Sequence, residues 1–472
     1  METAISQLGV LCTAWVDKWL YQPISILPLV TLRIVFGLAM CISSVRFLWL
    51  GWVEDQYLRP LYHFSYYGFE WVKVAPPWAL YSVYGLMLAA SLGILVGMYY
   101  RLSTVFFFLT FTYVELLDKT YYLNHYYFVS LMALLFCMVP AHRFFSWDAY
   151  RRPSLSRTTV PAWCVYLLQF QIGCVYFFAG IAKINPNWLL EAMPLRMWLP
   201  AQDDMPFLGP FLRKTWVAYA FSWVGMLYDL CIPFLLLGRK TRLPSYCILL
   251  AFHALTGYFF QIGVFPLVMS LCTLVFFSEG FHKKFLSGIA ALSRISPFST
   301  PLESGKKQLE IDQRDERGHS YRKLSIVLLT SYVLLQVLLP FRYVLYPGNL
   351  FWTEEGYRFS WRVMLVEKAG SAIFKVRNNA TGGEFEVVNR QFLNTHQEKQ
   401  MAFQPDMILQ YAHFLGEHYK ARGLRDISVF CDCQVTLNGR PSRPIVDPNQ
   451  DLLPLREGVW PKKWITTLEE HL

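Results

Sequence analysis

Long apolar stretches separated by short polar ones set the rhythm of this chain. They run at about 28–51, 77–98, 102–118, 121–141, 161–183, 216–237, 244–261, 263–278 and 324–346. Most approach the roughly 20 residues that a helix needs to cross a hydrocarbon core of about 30 Å. The seventh and eighth adjoin at Gly263, and together they are too long for one crossing at ordinary tilt. The pattern predicts an α-helical multi-span membrane protein with about eight or nine transmembrane helices.

After residue 346 the pattern changes. Residues 371–377 and 383–389 alternate as strands around the turn Asn-Asn-Ala-Thr-Gly-Gly. Residues 395–421 read as one amphipathic helix closed by Gly423. Residues 427–437 and 443–446 flank Asn438-Gly439, a hairpin signal. The expected organisation is an N-terminal amphipathic segment over 1–27, a helical membrane domain over 28–346 and a small α+β domain over 347–472. Residues 11–21 read as the interfacial part of the first segment, with no cleavable signal peptide expected. The polar stretch 295–323 reads as a solvated inner loop.

Composition supports the membrane reading. Hydrophobic residues make up 54% of the chain and charged residues 16%, against about 25% charged in soluble domains. Many Trp and Tyr sit at the ends of the apolar runs, as in interfacial belts. The net charge of +10 would suggest nucleic acid on a soluble protein. Here the basic residues cluster in short loops, at Arg143–Arg157, Arg239–Arg242 and Lys283–Arg294, so they read as an inside-facing topology signal and no nucleic-acid partner is expected. With the N-terminus inside, residues 347–472 fall outside. Eight of the ten cysteines lie in or beside apolar runs and read as small buried hydrophobes. Cys431 and Cys433 are expected on opposite faces of a strand. The sequence contains no zinc spacing, P-loop, GxGxxG, HExxH or GxSxG.

Ionisable groups at membrane depth are costly and therefore informative. Lys183 ends the fifth run with no acidic residue within four positions. It reads either as a lysine snorkelling to the interface or as a desolvated amine able to act as a base. Asn124 and His125 open the fourth run, with Asp118 shortly before them. Capping explains Asp118 or Asn124 but leaves the histidine open. His253 and Asp229 sit mid-run and are expected to pair, tying two spans together and tuning a nearby site. The topology sets Lys183, Asn124 and His125 at similar depth, beneath an aromatic lid at 350–366.

These residues resemble the vitamin K-dependent γ-glutamyl carboxylase family. The matching stretches are Leu117-Asp-Lys-Thr120 with Asn124-His125, and Tyr176-Phe-Phe-Ala-Gly-Ile-Ala-Lys183 with Trp188. Next come Phe252-His253 with Gln261-Ile-Gly-Val-Phe265, and Tyr357 with Ser360-Trp361 and Met364. The last runs from Asn438-Gly-Arg to Asp447-Pro448. They follow the family's order over about 28–470, and together they are fairly specific.

The resemblance implies an enzyme that uses reduced vitamin K, O2 and CO2, without a metal, on a glutamate-containing peptide. Lys183 matches the base that deprotonates the hydroquinone. Oxygen addition then yields an alkoxide that removes a γ-proton, the carbanion takes up CO2, and vitamin K epoxide leaves. Asn124 and His125 match residues at the quinone and in carboxylation, and His253, Gln261, Tyr357, Trp361 and Met364 line or flank the quinone pocket. Asp118 and Asp229 are supporting groups. The chain is shorter than animal members and has no cysteine in 52–76, so their disulfide from the first outer loop is absent. A prokaryotic type in a bacterial inner membrane is implied, with the lipid bilayer as partner. Alternative readings are a quinone epoxidase without carboxylation and a non-catalytic quinone- or lipid-binding membrane protein.

Overall fold

The structure, a computed structural model, describes residues 18–260, 263–293 and 318–468. Most of the expected segment at 11–21, most of the loop 295–323, and Gln261 lie outside the described residues. A short strand β1 (Pro23–Ser25) leads into helix α1 (Leu27–Trp49). Helices α2 (Pro77–Val96), α3 (Tyr100–Leu117) and α4 (Asn124–Met138) follow. Strand β2 (Thr159–Pro161) then pairs antiparallel with β1 and precedes α5 (Trp163–Ala182). The helical part continues with α6 (Thr215–Leu237), α7 (Arg242–Phe260), α8 (Phe265–Cys272), α9 (Glu279–Ser293) and α10 (Gly318–Leu338).

Among the described residues, six helices are long and apolar enough to cross a membrane: Leu27–Trp49, Pro77–Val96, Trp163–Ala182, Thr215–Leu237, Arg242–Phe260 and Arg322–Leu345. The run expected at 121–141 yields the 15-residue α4. At about 1.5 Å per residue that is short of a full hydrocarbon crossing. The run expected at 263–278 yields the 8-residue α8, followed by a 3-10 turn at Thr273–Phe276. It is separated from α7 at Gly263, whose φ of +64° turns the chain.

The C-terminal region is a four-stranded antiparallel sheet of order β4-β3-β5-β6, with β3 at Lys368–Asn378, β4 at Glu384–Glu386, β5 at Ile427–Leu437 and β6 at Arg443–Pro444. Asn438 and Gly439 both take positive φ, 52° and 73°, as a tight hairpin turn demands. The single helix expected at 395–421 is two, α11 (Thr395–Met401) and α12 (Pro405–Ala421). Pro405 explains the break, because it has no N–H and holds Gln404 extended, at φ −112° and ψ 110°. Cys431 and Cys433 do not face opposite ways. Strand side chains two apart share a face, and both thiols are fully buried with Val429 and Val435.

Two apolar cores result. One joins α1 to α5 and takes in Trp361. The other is built on β5 and α12, but it reaches into the helical part through Phe64, Trp188, Leu195 and Val217. The sheet region is thereby seated on the ends of the helices.

Candidate active site

Lys183 caps the C-terminal end of α5, and the helix ends there in ordinary right-handed backbone. The partner missing from its sequence neighbourhood comes from α6. Lys183 Nζ donates to Asp229 Oδ2 at 2.7 Å and to the Ala179 carbonyl at 3.3 Å, and it lies 5.4 Å from the Trp188 ring centroid. Both members of the pair are buried, at 7% and 5% exposure. Gly180 makes the approach possible, because a Cβ there would meet Leu230 N at 2.8 Å. Trp188 is fixed in turn: its Nε1 donates to Ser222 O at 2.9 Å, and Ser222 Oγ donates to Trp188 O.

Lys183 is therefore not a snorkelling lysine. It is held inward by a carboxylate, and a proton on the amine has an acceptor one hydrogen bond away. Burial of such a pair is costly, and removing either partner strands the other charge.

The pair forms part of the wall of an apolar pocket lined by Tyr176, Phe252, His253, Phe265 and Met364 among others. Tyr176 and Lys183 lie two helical turns apart on one face of α5, with Ala179 between them. His253 does not pair with Asp229. Its Nε2 meets Tyr176 Oη at 2.8 Å, while its Nδ1 is buried without a partner. The cavity measures about 100 Å³, below the roughly 300–1,000 Å³ of ordinary small-molecule sites. A bicyclic ring entering it must displace aromatic side chains such as Phe221, Phe260 or Trp198, which also line it.

The remaining candidates lie elsewhere. Asn124 lies off the pocket wall: its Nδ2 donates to Arg362 O at 2.9 Å, and its Oδ1 accepts from Tyr122 Oη at 3.0 Å. The His125 ring is separated from His253 by Phe265, with ring centroids at 5.8 Å and 6.1 Å from it. Trp361 is fully buried and stacks on Tyr127 at 4.9 Å, and Tyr357 packs against Phe351 in the second core. Asp118 accepts from Thr120 N and Oγ1 and from Gln397 Nε2 at 2.6 Å, so it ties the α3–α4 connection to α11.

Tyr176, Trp188 and Phe265 stand in the stretches that carry the family resemblance but are uncharged at neutral pH, so charge at membrane depth does not mark them. The i, i+3, i+7 spacing of Tyr176, Ala179 and Lys183 is the sequence signal for Tyr176.

A strap from Glu354 to Met364 supplies Val363 and Met364 to the pocket wall. Four non-glycine residues in it are left-handed: Glu354, Phe359, Trp361 and Met364, with φ between 53° and 60°. Each such residue costs roughly 1–3 kcal/mol and needs outside restraint. Phe359 N donates to Tyr122 Oη at 2.8 Å, Asn124 holds Arg362 O, and Arg342 donates to Arg358 O at 2.6 Å. The Arg358 side chain is clamped by Asp406, at 2.7 and 3.3 Å, and Lys119 reaches the same carboxylate at 2.7 Å.

Two family models match the chain. One, described as HTTM domain, covers residues 21–281. The other, described as Vitamin K-dependent gamma-carboxylase, lumenal domain, covers residues 321–471. No solved structure matches.

Proposed function

Since the chain belongs to the vitamin K-dependent γ-glutamyl carboxylase family, we propose that it carboxylates peptide glutamate with CO2 while converting reduced vitamin K and O2 to the epoxide. The observation that carries this reading is Lys183, buried on Asp229 in the wall of an apolar pocket.

Reduced vitamin K, when bound, supplies the oxidation that drives proton removal from an otherwise unreactive γ-carbon. The pocket's apolar lining suits its rings, and the amine of Lys183 with the Tyr176–His253 pair suits its two hydroxyl oxygens. With its proton passed to Asp229 across their hydrogen bond, the amine of Lys183 would be free to accept a hydroxyl proton. Trp188 and the Ala179 carbonyl hold the amine in place. Phe252, Phe265 and Met364 exclude water that would quench a strong base. His125 acts from behind Phe265 in the carboxylation half, and Asn124 works by holding the strap. Tyr357 and Trp361 support the quinone pocket from outside its described lining, and Gln261 is assigned to it by the family resemblance alone.

Residues 347–472 form the extracytoplasmic domain that meets the peptide, above a helical domain with an odd number of crossings, nine by its apolar runs, of a bacterial inner membrane. The positive loops on the opposite side support this orientation.

The test is purified protein in detergent with reduced vitamin K, labelled bicarbonate and a Glu-rich peptide. Label in the peptide together with epoxide is the expected result. The absence of both would end the proposal. Epoxide without label would favour the second reading, a quinone epoxidase, to which the same lysine and pocket equally lend themselves.

A further inference from the structure

The end of α5 separates two cavities of different character. On one side is the apolar pocket. On the other, Ala182, Ile184 and Asn187 wall a larger cleft of about 970 Å³ with both apolar and charged lining, shared with the C-terminal region. The strap repeats the partition. Arg362 lines the cleft, while the next two residues, Val363 and Met364, line the apolar pocket. The cavities thus share a wall at Ala182/Lys183 and again at Arg362/Val363.

Arg362 is the unusual member of this wall. It is 7% exposed, its guanidinium lies 4.3 Å from the Tyr343 ring centroid, and its Nε has no hydrogen-bond partner. Among the described residues no ion pair joins it to a carboxylate, and the groups that act on its charge are the phenols Tyr343 and Tyr357. The carboxylates of the cleft are engaged elsewhere: Glu191 faces Arg440 at 3.4 Å, and Glu355 faces Lys462 at 3.5 Å. A buried guanidinium without a counter-charge is expensive to maintain. Its planar fork matches a carboxylate, and a ligand in the cleft would supply the missing charge.

We infer that this larger cleft is a carboxylate-binding site anchored by Arg362, which receives the acidic side chain of a peptide and holds it at the wall behind which Lys183 sits. The choice of peptide as ligand rests on the proposed function, but binding can be read without turnover. An anionic lipid headgroup presents similar chemistry, and the test separates the two.

Purified protein, without quinone, is titrated with a fluorescent Glu-rich peptide and with its Gln isostere. The Glu form is expected to bind at least about tenfold more tightly. Arg362→Gln should erase that preference, and Arg362→Lys should retain part of it. Because Arg362 O also holds Asn124, the deciding measurement uses the unaltered protein: a photoreactive Glu peptide should crosslink within Ile184–Asn187. Equal binding of the two peptides, crosslinks elsewhere, or a preference that survives Arg362→Gln would overturn the site. So would loss of peptide binding in nanodiscs containing phosphatidylglycerol but not in phosphatidylcholine alone, which would assign the anion to a headgroup. Preference without turnover would leave the anchor standing and remove the carboxylation reading. Turnover without preference would do the reverse.

Discussion

Two buried lysine–aspartate contacts in this protein have the same length and different characters. Lys183–Asp229 and Lys119–Asp406 both measure 2.7 Å. Asp406 also takes two hydrogen bonds from Arg358, and it sits in the first turn of α12, where the helix dipole favours negative charge. Gln404 accepts from the same guanidinium. The one carboxylate in that cluster is saturated by two cations, and the cluster ties the α3–α4 connection to the strap and to α12. Asp229, by contrast, faces one cation, and the cavity beside the pair is apolar, whereas Lys119, Arg358 and Asp406 line a cleft that also holds Glu354, Glu457 and Lys462. The comparison teaches that distance does not decide the role of an ion pair. A saturated pair is a fastening, whereas an unsaturated pair beside an apolar pocket leaves a proton able to move.

The sharpest break between the two comes from removing each lysine. Lys183→Ala should lower epoxide formation on the order of 10²–10⁴-fold, while Lys119→Ala should leave turnover per folded molecule nearly unchanged, both read by product analysis.

Stability should show the opposite ranking. Asp406→Ala strands Arg358 and Lys119 and should cost about 3–5 kcal/mol, measured by thermal unfolding and by proteolysis of the sheet region.

The approach of α5 to α6 can be spoiled without touching a charge. Gly180→Val drives a side chain against Leu230 N. It should part Lys183 from Asp229 and reduce turnover up to about 10²-fold with the fold retained.

Acid should act on the fastening. Burial alone would raise the Asp406 pKa, but Arg358 and Lys119 reverse this and hold it well below the ordinary 3.8. A depressed carboxyl contributes its full stability above the unfolded value and loses it as pH falls below that value. Asp406→Asn should therefore flatten the acid limb of stability below about pH 5, as followed by circular dichroism.

The smallest effect belongs to the pocket's neutral pair. Tyr176→Phe removes one hydrogen bond to His253 and should weaken quinone binding by about 0.5–1.5 kcal/mol, seen by fluorescence titration.

What the sequence disclosed follows the range of the forces involved. Apolar runs and the Asn438-Gly439 turn are local, and they were legible. Pro405 was legible too, but it was passed over inside an amphipathic pattern. The partner of Lys183 was not legible, because Asp229 lies 46 positions away and only the bare backbone at Gly180 lets the helices meet. His253 looked like the natural mate for Asp229 by depth. Packing gave it Tyr176 instead. The uncompensated charge of Arg362 could not be seen at all without the fold, since in sequence it stands eight residues after one acid and five before another, Glu354 and Glu367.

The short β1–β2 pairing has a consequence for biosynthesis. Pro23–Ser25 bonds to Thr159–Pro161, so the stretch leading into α1 stays without its strand partner until the start of α5 has left the ribosome. Three helices and α4 must be threaded before that seam can close. The joint at the head of α1 is thus among the later ones to form in this part of the chain, and a translational pause before residue 159 would hold the early helices in an unlatched arrangement.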